Sequence, residues 1–412
     1  MNWKSYLIIS LFVCSLFQPK AFGQYQAEVI HWWVSGGEAA ALKVLVDEFE
    51  SQGNTWLDTP VKDSYHAKTA ALSRMFSGNP PTIVQWHVGV MIKDLYEEGL
   101  LGDVHEIARK HEWEKVLPEI IWDLINIDGK VVVVPTTLHG SNWLWASRRV
   151  LEACNVSMPD TWEDFKKTAA VIKEKGFIPL ALGGQAWQET ILFHNVVISV
   201  LGPKFYMDAF VKRDLNALGS PEMVRAFREF ASLKPFVDEK SPGRNWAETT
   251  DLVIKGEAAF QIMGDWVKGE FLRAGMTAGE EIACRLCPGT EGTYWVGSDA
   301  FAMVALKDPK ALKAQAILAE VAMDPEVQRR FNLKKGAVPP RTDVSLEGFD
   351  DCAKLGIKTI REGQVLPNLN MANPTVIASA ILDVVHGFWN SETPDPENAA
   401  ADLVAAVKEA NF

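Results

Sequence analysis

The stretch Glu28-Val29-Ile30-His31-Trp32-Trp33-Val34-Ser35-Gly36-Gly37-Glu38 decides how the rest of the chain is read. Residues 28–34 are β-branched and aromatic and alternate in polarity, which predicts a strand. Ser35-Gly36-Gly37 breaks that strand, and the apolar periodicity of residues 38–52 predicts a helix directly behind the turn. A strand that feeds a helix through a glycine turn is the opening unit of an α/β domain. Its helix start offers free backbone N–H groups to a ligand oxygen.

Working outward toward the C-terminus, the same alternation returns. Residues 67–76 read as a helix, Gly78-Asn79-Pro80-Pro81 as a turn, 82–86 as a strand and 91–98 as a helix. The Ile127-Asp128-Gly129-Lys130 turn feeds a strand over 131–135, and 140–146 is a second strand with little helix between. From Pro159 the pattern restarts, with a helix over 162–175, a strand over 178–182 and a helix over 194–201. Further on come helices over 220–237 and 248–256, strands over 258–263 and 294–305, and helices over 309–323, 325–331 and 398–411. This order predicts an α/β architecture with largely parallel sheets in two lobes. No flexible linker separates the two blocks, so strands are expected to join them and form a hinge.

Toward the N-terminus, Lys4, the apolar run from Tyr6 to Phe17 and the small-residue site Ala21-Phe22-Gly23 read as a secretory signal removed before Gln24. Cys14 follows Val13, with the apolar run continuing past it, a poor context for lipidation. The 412 residues carry 41 basic and 53 acidic side chains; without the leader's Lys4 and Lys20 the net charge is −14. That balance argues against nucleic acid or an anionic membrane as the main partner. Fifteen tryptophans suit a neutral, ring-shaped ligand better. Cys154, Cys284, Cys287 and Cys352 remain after the leader. Cys284-Arg285-Leu286-Cys287 leads into Pro288-Gly289 rather than a helix and lacks a second CxxC, so the cysteines are expected as structural thiols or one ordinary disulfide.

Catalytic signatures are missing from the sequence: there is no GxSxG, HExxH, GxxxxGK[ST] or GxGxxG. His105-Glu106 and His111 are too far apart for a helical zinc pair and read as a solvated surface, so neither metal nor cofactor is expected. Several tryptophans instead lie beside groups that bond hydroxyls. Trp32 and Trp33 precede Glu38, Trp86 lies between Gln85 and His87, Trp143 follows Asn142, Trp187 follows Gln185 by two, and Trp266 follows Asp265. A sugar needs this mixture, with C–H faces laid on indoles and a ring of hydroxyls met by amides and carboxylates. Trp56, Trp113, Trp122, Trp162 and Trp389 are assigned to packing.

With these segments read, the chain resembles an extracellular (periplasmic) solute-binding protein of an ABC sugar importer, family 1, glucose-binding branch. The likeness is carried by residues 31–38, Ser77-Gly78-Asn79-Pro80-Pro81-Thr82, Gly99-Leu100-Leu101, Asn142-Trp143-Leu144-Trp145, residues 183–188, Gln261-Ile262-Met263-Gly264-Asp265-Trp266 and Lys335-Gly336-Ala337, in the family's order. The resemblance implies a type II two-lobed fold with a ligand cleft, three hinge crossings and no chemistry of its own. It implies one lobe of residues 24–137 plus 297–342 and another of 138–296 plus 343–412. It also implies a monomer that meets a carbohydrate and the permease subunits of a membrane transporter. The ligand set it implies is Trp32, Trp33, Glu38, Gln85, His87, Asn142, Gln185, Trp187, Asp265, Trp266, Asp299 and Lys335. Two positions depart from the glucose branch: His87 stands where a lysine is usual, and Asn368-Leu369-Asn370-Met371-Ala372 replaces Ala-His-Gly-Met-Ala. A different hexose or a short glycoside therefore fits as well as glucose. The competing expectation is an exported glycoside hydrolase or lyase that pairs Glu38 with Asp299, which would need one carboxyl of raised pKa.

Overall fold

In the computed structural model, which describes residues 24–411, β1 (Gln26–His31) runs into α1 (Gly36–Ser51) through the turn that the sequence marks. Ser35 caps α1, its hydroxyl accepting from Glu38 N while the Glu38 carboxylate accepts from Ser35 N, which starts the helix two residues before the predicted Glu38. The reading of residues 1–23 as a signal lies outside the described residues.

Next in the chain are β2 (Thr55–Pro60), α2 (Ser64–Phe76) and β3 (Ile83–His87). A hairpin of β4 (Asn126–Ile127) and β5 (Lys130–Val131) turns at Asp128 and Gly129, both at positive φ, as an Asp-Gly turn favours. Then come β6 (Val133–Gly140), β7 (Trp143–Ser147), β8 (Ile178–Ala181), β9 (Ala258–Met263), β10 (Ile282–Leu286), β11 (Thr293–Met303) and β12 (Gln364–Pro367).

Two sheets organise a two-lobed α/β fold. The larger has the order β12-β11-β3-β1-β2, with β6 also on β11; the smaller has the order β10-β7-β9-β8. The expectation of largely parallel sheets is corrected. β1 is parallel to β2 and β3, but β11 is antiparallel to β3 and β6, and β7 is antiparallel to both β9 and β10. Antiparallel neighbours arise because the chain passes between the sheets through strands. It leaves the larger sheet on β6, enters the smaller on β7 after only Ser141 and Asn142, and returns from β10 to β11. The eleven residues of β11 serve two sets of neighbours, Thr293–Val296 beside β12 and Asp299–Met303 beside β3.

Aromatic packing fills both layers. Trp33 lies against Phe301 and Phe331 under the larger sheet; Phe193, Phe227, Phe230, Phe388 and Trp389 form a second cluster among the helices around Ala186–Leu201. Trp56, Trp113, Trp162 and Trp389 are buried, and Trp122 packs on the core. Cys284 on β10 is bonded to Cys352 on the helix Asp351–Glu362, while Cys154 and Cys287 are free and buried. Among the described residues, no helix is long and apolar enough to cross a membrane and no group of His, Cys, Asp and Glu could hold a metal ion.

Candidate functional site

Asp299 sits where β11 passes between β3 and β6, and a bulge fixes its aim. Asp299 is opposite Thr137, yet Ala300 is opposite Pro135, so Thr136 is an extra residue on β6. The Thr136 hydroxyl donates to the Asp299 carbonyl at 3.0 Å and holds the kink. Bulges of this kind redirect a side chain out of the regular pleat. The Asp299 carboxylate is nearly buried. Its Oδ2 accepts from the Trp33 indole N–H at 3.1 Å and from the Gln85 amide at 3.1 Å, with His139 Nε2 at 3.6 Å; Oδ1 faces His87 Nε2 at 3.6 Å.

The charges around it interlock. Burial would raise the Asp299 pKa, but the His139 hydrogen bond and charge, with His87 and Lys335, hold it well below the usual carboxylate range. Burial and Lys335 would lower the His139 pKa; the Asp265 carboxylate at 2.7 Å from Nδ1, together with Asp299, outweighs them and raises it. His87 goes the other way, to about 3, through burial and the Lys68 ammonium, against the pull of Asp299. Burial likewise brings Lys68 down to about 8, against the attraction of Asp299. At neutral pH the site holds an ionised Asp299 and a neutral His87 side by side.

Aromatic surfaces continue from this centre in both directions. The Trp32 ring meets His87 edge-on at 4.9 Å, while His139 meets Trp266 edge-on at 5.2 Å and Trp266 lies 6.1 Å from Trp187. Trp32, Trp187 and Trp266 are half-buried, so each keeps part of its surface accessible. One unbroken run of contacts thus links Trp32 at the end of β1 with Trp187 at the start of the helix Ala186–Leu201. Indole faces around a carboxylate and imidazoles match the C–H faces and hydroxyls of a pyranose.

The other expected residues divide into supports and outliers. Trp33 and Gln85 are buried and act through Asp299, and Gln85 Oε1 also accepts from Trp32 N at 2.9 Å. Asp265 is committed to the protein, bonding His139, Gly140 N and the Tyr294 hydroxyl. Glu38 and the buried Lys335 form an ion pair at 3.1 Å. The Gln185 amide oxygen accepts from Trp246 N and from Gln188. Asn142 departs from expectation: it is fully buried, donates to Thr290 and to the Thr293 carbonyl, and accepts from Trp295 N, so its amide ties the β6–β7 junction to β11. Asn368 caps the short helix Leu369–Ala372, whose Met371 carbonyl accepts from Val90 N just beyond β3.

Three participants escaped the sequence reading. His139 lies on β6 beyond the predicted end of that strand; extending the strand's two-residue period from Thr137 would have put it on one face with Asp299's neighbour. The Thr137 hydroxyl is buried and, among the described residues, has no partner; Thr137 lies directly across from Asp299. Lys68 lies on α2, inside an ordinary helical pattern that carries no sign of function.

A family model described as bacterial extracellular solute-binding protein matches residues 45–354. A probable sugar-binding periplasmic protein of Rhizobium meliloti (strain 1021) is 40% identical over 391 residues, 93% of this chain and 94% of that protein. A protein of the same description from Brucella suis biovar 1 (strain 1330) is 39% identical over 391 residues, 93% of this chain and 92% of that one. Among solved structures, a chitin oligosaccharide binding protein superposes with a TM-score of 0.80 at 19% identity, over 93% of this chain and 99% of that one, which shows a shared fold. With the family model and these relatives covering most of its length, the chain belongs to the bacterial extracellular solute-binding proteins.

Proposed function

We propose that the protein is a periplasmic receptor that captures a monosaccharide, glucose or a related hexose or short glycoside, and delivers it to the permease subunits of an ABC importer. The observation that carries this reading is the ionised Asp299, nearly buried between imidazoles and flanked by half-buried indoles. A carboxylate in that state accepts hydroxyl bonds and cannot serve as the protonated acid of a glycosidase at neutral pH. Periplasmic sugar-binding relatives near 40% identity support the compartment and the ligand class.

In this reading the lobe of residues 24–137 plus 297–342 and the lobe of 138–296 plus 343–412 close on the sugar, bending where β6 and β11 run side by side near Leu138 and Gly297. The test is a thermal-shift panel of monosaccharides, disaccharides and sugar acids. A ligand at 100 times its Kd adds about 2.7 kcal/mol to folded stability. A panel in which no carbohydrate raises the Tm overturns the reading.

A further inference from the structure

We propose that Lys68 is a positioning residue for sugar selection: by holding the His87 imidazole in its Nε2–H tautomer, it creates beside Asp299 a donor and acceptor pair that reads a single free hydroxyl. The inference rests on the sugar-receptor reading and deepens it by naming the group that this corner recognises.

The geometry supplies each step. Lys68 Nζ lies 2.9 Å from His87 Nδ1. An ammonium has only donors, so Nδ1 must be the acceptor, and the single proton of a neutral imidazole is left on Nε2. That N–H faces Asp299 Oδ1 across 3.6 Å, too long for a good direct bond. A hydroxyl is the group that fits both atoms, its oxygen accepting from Nε2–H while its hydrogen goes to Oδ1. An ether or fluorine offers no hydrogen to Oδ1, and a deoxy carbon offers neither. Trp32 lies against His87 and gives that hydroxyl's sugar an apolar face beside the pair.

Lys68 is itself held for this task. Its ammonium lies 5.8 Å from the centre of the Trp32 ring and 5.0 Å from that of Trp86. The charged or titratable groups acting on the Lys68–His87 pair from neighbouring strands are Asp299 on β11 and His139 on β6. On α2 itself, His66 is turned to Asp63 and Arg74 to Glu28. Because Lys68 loses its proton near pH 8, the tautomer lock and the selectivity it sets are expected to relax together above that pH.

Two measurements on the purified protein test this. Nitrogen-15 NMR of the ligand-free protein should show His87 protonated on Nε2 alone, with Lys68→Arg preserving that state and Lys68→Met mixing the tautomers. Calorimetry with D-glucose, D-galactose and their monodeoxy, monofluoro and mono-O-methyl series should show one hydroxyl whose loss costs the parent about tenfold in affinity. That one penalty should shrink in Lys68→Met and persist in Lys68→Arg. A His87 protonated on Nδ1, a tautomer unmoved by Lys68→Met, or equal weakening of every analogue by Lys68→Met overturns the proposal. Should no sugar bind at all, the receptor reading and the selection role fall together, while the NMR arm still decides whether Lys68 sets the tautomer.

Discussion

Asp299 shows what a single residue contributes here. Its carboxylate is held by an indole, an amide and imidazoles, so Asp299→Asn presents an amide N–H to partners that are themselves donors and gives up the charge. Bonds to a charged acceptor contribute about 1.5–3 kcal/mol, so sugar affinity is expected to fall ~10- to 200-fold. Calorimetry run beside a reducing-sugar assay checks it, and a parent protein that releases sugar, with release lost in Asp299→Asn, would favour a hydrolase. The pH dependence has two sides. The Asp299 pKa is depressed, so its contribution to stability is complete above the ordinary carboxylate value of about 3.9 and disappears only as pH falls through the lowered value. The His139 pKa is raised, so its contribution is complete below about 6.5 and is lost as pH rises through the higher value. His87 works the other way: its pKa is lowered to about 3, so between about 6.5 and that value the unfolded chain takes up a proton that the folded one refuses, and stability falls as pH falls. Tm against pH should therefore decline already in mildly acid conditions, with that decline reduced in His87→Gln, while His139→Gln should remove a loss on the alkaline side. Trp32, Asp299 and Trp266, which the fold brings into one run of contacts, each adjoin a turn or motif that the sequence displays. Lys68 was not legible, since its meaning comes from a strand nineteen residues away that only the fold brings to it.

Elements were legible where local chemistry marks their ends. The helix Pro309–Met323 begins at an Asp308 cap followed by proline, and its predicted limits match. Residues 258–263 form the expected strand between a positive-φ Gly256 and Gly264. The helix Ala186–Leu201 begins eight residues before the predicted His194, because every residue from Gln188 to Ile198 is buried and such a segment has no polar face to set a period. Strand direction was illegible for a related reason: β7, β9 and β11 are buried along their whole length, so they lack the one-sided polar alternation that marks an antiparallel strand with a solvated face. The Cys284–Cys352 bond also lay beyond sequence reading, as spacing alone cannot pair four cysteines. It closes a loop across 68 residues between β10 and the helix Asp351–Glu362. Replacing both cysteines by serine should lower unfolding stability by about 2–4 kcal/mol in urea titrations. Equal midpoints for variant and parent would show that the bond adds nothing to the fold.

At the scale of the molecule, the helix Val267–Arg273 is docked on the N-terminal end of α1 and on the end of the helix Pro325–Lys335. Gly37 N donates to Glu270 Oε1 at 2.9 Å, and Glu270 is braced by Arg273. The approach depends on glycines. A Cβ on Gly37 would come within 2.5 Å of the Gly269 backbone, and one on Gly336 within 2.9 Å of Gly269 N. Gly37→Val should therefore keep the protein folded but hold this contact open, enlarging the radius of gyration with sugar present and weakening binding. Small-angle scattering and calorimetry check it, and a variant as small and as tight-binding as the parent would sink the idea. Two lobes could be inferred from the alternation of elements, but this seam could not. Its three glycines are scattered over three hundred residues and meet only after folding.

That seam also bears on how an importer tells a loaded receptor from an empty one. The Glu270–Gly37 bond joins residues that the proposed hinge separates, so it adds to the shut form whatever the cargo itself contributes. Sugar shifts the balance only by its extra affinity for that form, and every contact made without it enlarges the share of receptors that look full while carrying nothing. Weakening the Glu270 bond would thus trade some grip on the cargo for fewer empty deliveries, and the transporter's idle ATP turnover would record the exchange.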